Sequence, residues 1–218
     1  MRYVFTIKPK MSGMRVILLI FFIFVAIISL NDATAIEYQD KDHTFKEILY
    51  DQGIVFSAHT TGYILTQYET IRTEGSFDNY EDNFFKFQFD GDNVNWNYFG
   101  HTYTGAQVYL YYRARSYSKA KSLLYSFLSS LWFELFIETY TEKPSIQDTL
   151  NTPIFGAGLG YFIEDYSVEL INSGNKYKNY LGRILNPFSL LVDNQDISFF
   201  TIGEPNGTYF VSLRYTYD

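Results

Sequence analysis

The sequence predicts a mainly α-helical domain, a bundle of about four helices with a short C-terminal β-hairpin, and three observations carry that expectation. Apolar residues recur at helical spacing over long stretches between residues 45 and 172. Proline, or glycine among polar neighbours, separates those stretches, and only the C-terminal end alternates as a half-buried strand does.

The elements follow in order. Arg15 leads into an unbroken apolar run over residues 16–30, and the small-residue site Ala33-Thr34-Ala35 follows. That order predicts a secretory signal peptide over residues 1–35, cleaved after Ala35, because the run is shorter than the roughly 20 residues a spanning helix needs. Residues 36–218 are then one exported domain. Residues 45 to about 73 read as a helix weakened by Gly53 and Gly62. Residues 74–93, rich in Asp, Asn and Gly, read as a surface loop in which FFKFQF supplies at most one short strand. A helix over residues 98–115 sets His101, Gly105, Tyr109 and Arg113 at steps of four, along one side. Another spans about residues 118–141 and stops at Lys143-Pro144. Ser145 or Asp148 can cap the next, expected from about residue 152 to 172, whose Thr152, Gly156 and Gly160 form a small-residue stripe suited to close helix contact. Beyond the polar NSGNKYKN and the Asn186-Pro187 break, ISFFTIG and TYFVSLRYTYD flank the turn signal EPNG, a hairpin pattern.

Composition narrows the function classes. The chain of 218 residues carries 17 basic and 24 acidic residues. Removing residues 1–35 leaves 13 and 23, a net charge of −10, which argues against a nucleic-acid partner. With no cysteine there is no disulfide, thiolate metal site or cysteine nucleophile. Twenty-one tyrosines and 21 phenylalanines suit an aromatic core or surfaces at a membrane interface.

The chemistry, if any, belongs to the ionisable residues of an otherwise apolar, aromatic stretch. Glu134 and Glu138 stand one helical turn apart, with Ser130 and Ser126 continuing their line. As catalytic candidates, His101, Glu134 and Glu138 supply acid and base. As structural residues, the two carboxylates pair with Arg113, Arg115 or His101 across helices and lock the bundle register. Arg115, Asp148 and Ser145 are the candidate binding residues. No second histidine stands near His101 and no HExxH occurs, so neither a metal site nor a cofactor is expected. The glycines of GAGLGY follow no strand and are not a dinucleotide fingerprint, and no serine sits in a G-x-S-x-G elbow.

An ordered set of residues, Asn97, Tyr98, Gly100, His101, Gly105, Tyr111, Tyr112, Ala114, Arg115, Ser126, Ser130, Glu134, Glu142, Pro144, Ser145, Asp148 and Gly156, resembles an uncharacterised bacterial family, the domain of unknown function numbered 3943. The resemblance covers a core of about residues 90–160. Thr102 stands where that family usually has proline, Phe133 separates Trp132 from Glu134, and Tyr161 stands where an acid is expected. The resemblance implies a bacterial envelope location and no defined chemistry. The leading expectation is therefore a non-catalytic exported protein of the periplasm or outer membrane, associated with membrane or envelope lipid, whose buried polar network fixes helix packing. An envelope lipid or glycan hydrolase built on His101 with Glu134 and Glu138 is the first alternative. A small outer-membrane β-barrel, suggested by the alternating aromatics of the last strand, is the second.

Overall fold

In a computed structural model the described residues are 3–6, 35–89, 99–193, 198–203 and 209–214, and they are mainly helical. The signal-peptide expectation rests on residues 1–35, almost all of which lie outside the described residues, as do Asn97 and Tyr98. The expected turn, residues 204–207, lies outside them too, so the C-terminal hairpin is not established as part of the fold.

Helix α1 (Phe45–Thr66) starts where Thr44 accepts from the Glu47 N–H and Glu47 accepts from the Thr44 N–H in return, a capping box. It breaks at Gln67, and α2 (Tyr68–Glu74) continues it, so the single helix expected to residue 73 is two. Helix α3 (Asp78–Asn83) occupies the expected loop, and the FFKFQF island contributes one bridge, Gln88 beside Ser145. Helices α4 (His101–Ala114) and α5 (Lys119–Phe136) fall where the pattern puts them. Helix α5 ends at Phe136, however, and a 3-10 turn over Glu138–Tyr140 follows. Helix α6 (Ile146–Ile171) begins earlier than expected, with Pro153 in its interior. The Ser145 hydroxyl caps it by accepting from the Asp148 N–H at 3.1 Å, which leaves Pro153 well inside the first half. Helices α7 (Lys176–Leu185) and α8 (Ser189–Asp193) replace the expected polar break. Eight helices, rather than about four, build the described fold.

Helices α4 and α6 form its centre. They run parallel with a constant offset in sequence: His101 meets Thr152, Gly105 lies against Thr152 and Gly156, Tyr109 covers Gly160, and Arg113 reaches Glu164. Both four-residue stripes predicted from sequence thus turn out to be the two halves of one seam. Helix α5 packs across it and α1 lies against α5, with Gln52 donating to the Tyr125 carbonyl and His59 and Tyr63 edge-on to Phe133. Helix α7 returns along α6, where Asn179 donates to the Ile171 carbonyl and Asn186 to Ser167.

Helix α4 buries an apolar cluster of Val108, Tyr109, Leu110, Tyr111 and Tyr112, but on α5 and α6 the burial pattern is inverted relative to an ordinary globular domain. Among the described residues 19 buried side chains are polar or charged and 15 are aliphatic or aromatic, with Pro144 and Pro153 buried besides. Helix α5 turns Ser122, Ser126, Ser129, Ser130 and Glu134 inward and leaves Leu123, Leu124, Trp132 and Phe136 outside. On α6, Asp148, Thr149, Thr152 and Glu164 face in, whereas Ile154, Phe155, Leu159, Phe162 and Tyr166 face out. Small and hydroxyl-bearing residues at helix contacts, with large apolar ones on the outside, are what helices surrounded by lipid require, since lipid gives apolar side chains no reason to turn inward. Among the described residues no helix is long and apolar enough to cross a membrane.

Candidate functional site

The ionisable residues singled out in the sequence divide into three clusters. The first gathers at the start of α6. Glu134, 1 % exposed, accepts the Ser145 backbone N–H at 2.8 Å, so the carboxylate of α5 fixes the loop that caps α6. Ser130 on the same face donates to the Asp148 carbonyl at 3.2 Å. His101, at the first turn of α4, faces Thr152 Oγ1 at 3.2 Å through Nδ1 and Asp148 Oδ1 at 3.6 Å through Nε2. Thus His101, Ser145, Asp148 and Glu134 do come together, around the α5–α6 connection. His59 of α1 lies near enough to His101 for their charges to interact, and burial first and His101 second push it down to about 4, leaving it neutral at neutral pH. Nothing in the spacing of His59 and His101 along the chain joins these two histidines.

Glu138, although beyond the end of α5, remains beside Glu134, and the pair shares a hydrogen bond, which requires a proton on one of them. Burial raises Glu134 to about 8, with Asp148 and Glu142 adding to the rise against the hydrogen bonds from Ser145 and Glu138. Glu138 is also raised well above the ordinary carboxyl value, first by burial and then by Glu134. Neither carboxylate meets Arg113 or Arg115, and the cross-helix pairing expected of them is corrected accordingly. The fold favours their protonated forms, so the pair contributes stability that is complete below the unfolded value near 4.5 and is lost as pH rises to about 8. Thermal melts between pH 5 and pH 8 are expected to show this component falling with pH, and Glu134→Gln, which stays neutral, to flatten the slope. A slope unchanged in the variant would remove the proton from this account.

The second cluster holds Arg115. Its Nε donates to Asp51 Oδ1 at 2.9 Å, and the Tyr111 and Tyr117 hydroxyls donate to the same carboxylate at 2.8 and 2.9 Å. Asp51 is fully buried. Burial, and then Asp51 itself, raise both phenols, so they stay protonated and remain donors. His43 stacks on Tyr117 with ring centroids 3.7 Å apart. Arg115 therefore binds Asp51.

In the third cluster Arg113 donates to both oxygens of Glu164, at 3.0 and 2.9 Å, and to Asp40 at 2.8 Å, with the Tyr117 carbonyl as a further acceptor. Asp51 and Glu164 went unnamed in the sequence, yet both were legible. Asp51 shares a helical face with Ile48 and Val55, and Glu164 continues the Thr152, Gly156, Gly160 stripe by one more step of four.

Chemically, these clusters pair and hold. Arg113 with Glu164 and Arg115 with Asp51 pair buried charge between separate segments, the condition under which burial of charge is tolerated. No group of three or more metal-ligating side chains suited to an ion occurs among the described residues. The open groove of about 780 Å3 found on the surface is lined by Arg113, Glu164, Lys119 and the chain's residues 35–38, not by His101 or Glu134.

Residues 86–188 match the model of a family described as Domain of unknown function (DUF3943). No curated protein and no solved structure matches the chain.

Proposed function

Since the chain belongs to the DUF3943 family, which assigns no chemistry, its role must be argued from the fold, and we propose a non-catalytic bacterial envelope domain, exported and held against a lipid surface. In this reading the buried polar network fixes which helices pair and in what register, while the apolar exterior lies against acyl chains or the headgroup boundary. The observation that carries the proposal is the inverted burial pattern of α5 and α6: their polar side chains turn inward, and Phe155, Phe162 and Trp132 stand outside. The catalytic alternative finds less support, because Glu134 is covered and engaged by a backbone N–H, and Arg115 belongs to another cluster. As part of the same reading, residues 198–203 and 209–214 are the arms of a C-terminal hairpin. The strand-like runs ISFFTIG and TYFVSLRYTYD on either side of the turn signal EPNG support it.

Flotation of the purified exported protein with phosphatidylcholine vesicles tests the lipid contact. The protein is expected to float with the vesicles. Replacing Phe155 and Phe162, 54 % and 71 % exposed, by serine is expected to lower the bound fraction at least about tenfold with little change in melting temperature. A wild-type protein that stays with the soluble fraction overturns the reading.

A further inference from the structure

The first described residues of the domain form a strap laid across the helices. Ile36 is 4 % exposed, although Ala35 before it and Glu37 after it are exposed. Its backbone N–H donates to Asn172 Oδ1 at 2.8 Å, and its carbonyl accepts from Asn172 Nδ2 at 2.9 Å. Further along, the Tyr38 hydroxyl meets Asn186 Nδ2 at 2.6 Å, Asp40 takes Arg113, and the Lys41 N–H donates to the Ser116 carbonyl at 2.8 Å. These bonds and the buried Ile36 side chain hold a segment that has no regular secondary structure of its own.

The strap begins one residue beyond the Ala33-Thr34-Ala35 site, so the residue it seats most firmly is the one a cleavage there would make the terminus. We infer that a host signal peptidase hydrolyses the Ala35–Ile36 bond and that the new Ile36 α-ammonium is held on Asn172 as the anchor of the mature domain. Water supplies the oxygen of the Ala35 carboxylate, and the Ile36 nitrogen keeps its place while gaining protons. Three features suit it to a cation. Asn172 is the C-cap of α6, where backbone carbonyls give the helix its negative end, and the last turn of α6 holds no basic residue. The groove beside it carries Glu37, Glu164, Asp165 and Glu169 against Arg113 and Lys119. Glu164 and Asp165 are taken by those two cations, so the remaining carboxylates, Glu37 and Glu169, favour a further positive charge. An ammonium also makes a stronger bond to Asn172 Oδ1 than the neutral amide it replaces.

The inference rests on the export reading, and one preparation separates the two. The full chain is expressed in an exporting bacterium, the processed protein is purified, its terminus is fixed by mass, and its α-amine is labelled with 2-pyridinecarboxaldehyde in the folded and denatured states. The expected result is an Ile36 terminus that labels at least about tenfold more slowly when folded, with the protection lost in Asn172→Ala. An Ile36 terminus that reacts equally fast in both states, or protection that survives Asn172→Ala, overturns the seat and leaves export intact. Cleavage elsewhere overturns the processing site, and a retained leader overturns cleavage itself. Should the alanine variant not fold, Asn172→Asp decides: its carboxylate is expected to slow labelling further, and a rate equal to wild type overturns the seat.

Discussion

Alanine at Gly105 is expected to cost the domain about 3 kcal/mol or more and to lower its melting temperature by roughly 6–12 °C, while alanine at Gly158 is expected to leave it unchanged or slightly raised. A Cβ on Gly105 would overlap the Thr152 carbonyl oxygen, which belongs to the backbone of α6 and cannot rotate away. The reverse substitution, Gly156→Ala, meets the Gly105 Cα at 2.5 Å and should act in the same direction. Relief requires moving α4 from α6, and that movement would disturb His101 against Thr152 at one end of the seam and Arg113 against Glu164 at the other. Gly158 lies on the same helix but faces open space, so its alanine only improves helix propensity. Melting the three variants side by side separates the seam from a general intolerance of α6 to substitution. Equal effects at Gly105 and Gly158 would dismiss the seam as the centre of the fold.

The seam also shows what could be read in the sequence. The steps of four through His101, Gly105, Tyr109 and Arg113, and through Thr152, Gly156 and Gly160, identify two faces, because spacing on a helix is a local property. That the two faces meet, in parallel and in register, is a matter of tertiary packing and leaves no mark in either stretch alone. Helix α7 is hidden in the sequence for a related reason: its inner face is Asn179, Gly182 and Arg183, so by the usual apolar-inside rule it reads as a polar connection. The start of α6 was set too late because the Ser145 cap, held from below by Glu134, stabilises a first turn that the following Pro153 argues against. Of the ionisable set Arg113, Glu134 and Asp148 are buried, and the partners are not those that the spacing suggests. Arg113 and Arg115 find Glu164 and Asp51, carboxylates outside the set, and Glu134 finds a backbone N–H.

Removing the Asp51 carboxylate by Asp51→Ala is expected to cost about 3–5 kcal/mol, the range for breaking a buried pair by deleting one partner. The argument is the number of donors left behind. Tyr111 and Tyr117 point their hydroxyls at Asp51 from α4 and from the loop after it, and neither has another partner as short. Arg115 is 36 % exposed in its side chain and can turn toward water, so its share of the loss is small. The phenols cannot: burial has already removed them from solvent, and an unsatisfied buried hydroxyl costs about 1–3 kcal/mol each. Asp51→Asn keeps the shape and one acceptor oxygen, so it should fall between wild type and alanine. Arg115→Ala should cost less than Asp51→Ala, because a carboxylate still bonded to two tyrosines remains partly compensated. Urea unfolding of the three variants checks this order through the midpoint. If Arg115→Ala proves the costlier, the ion pair rather than the tyrosine pair holds α1 to α4, and the network would then weaken with salt as a half-exposed charge pair does.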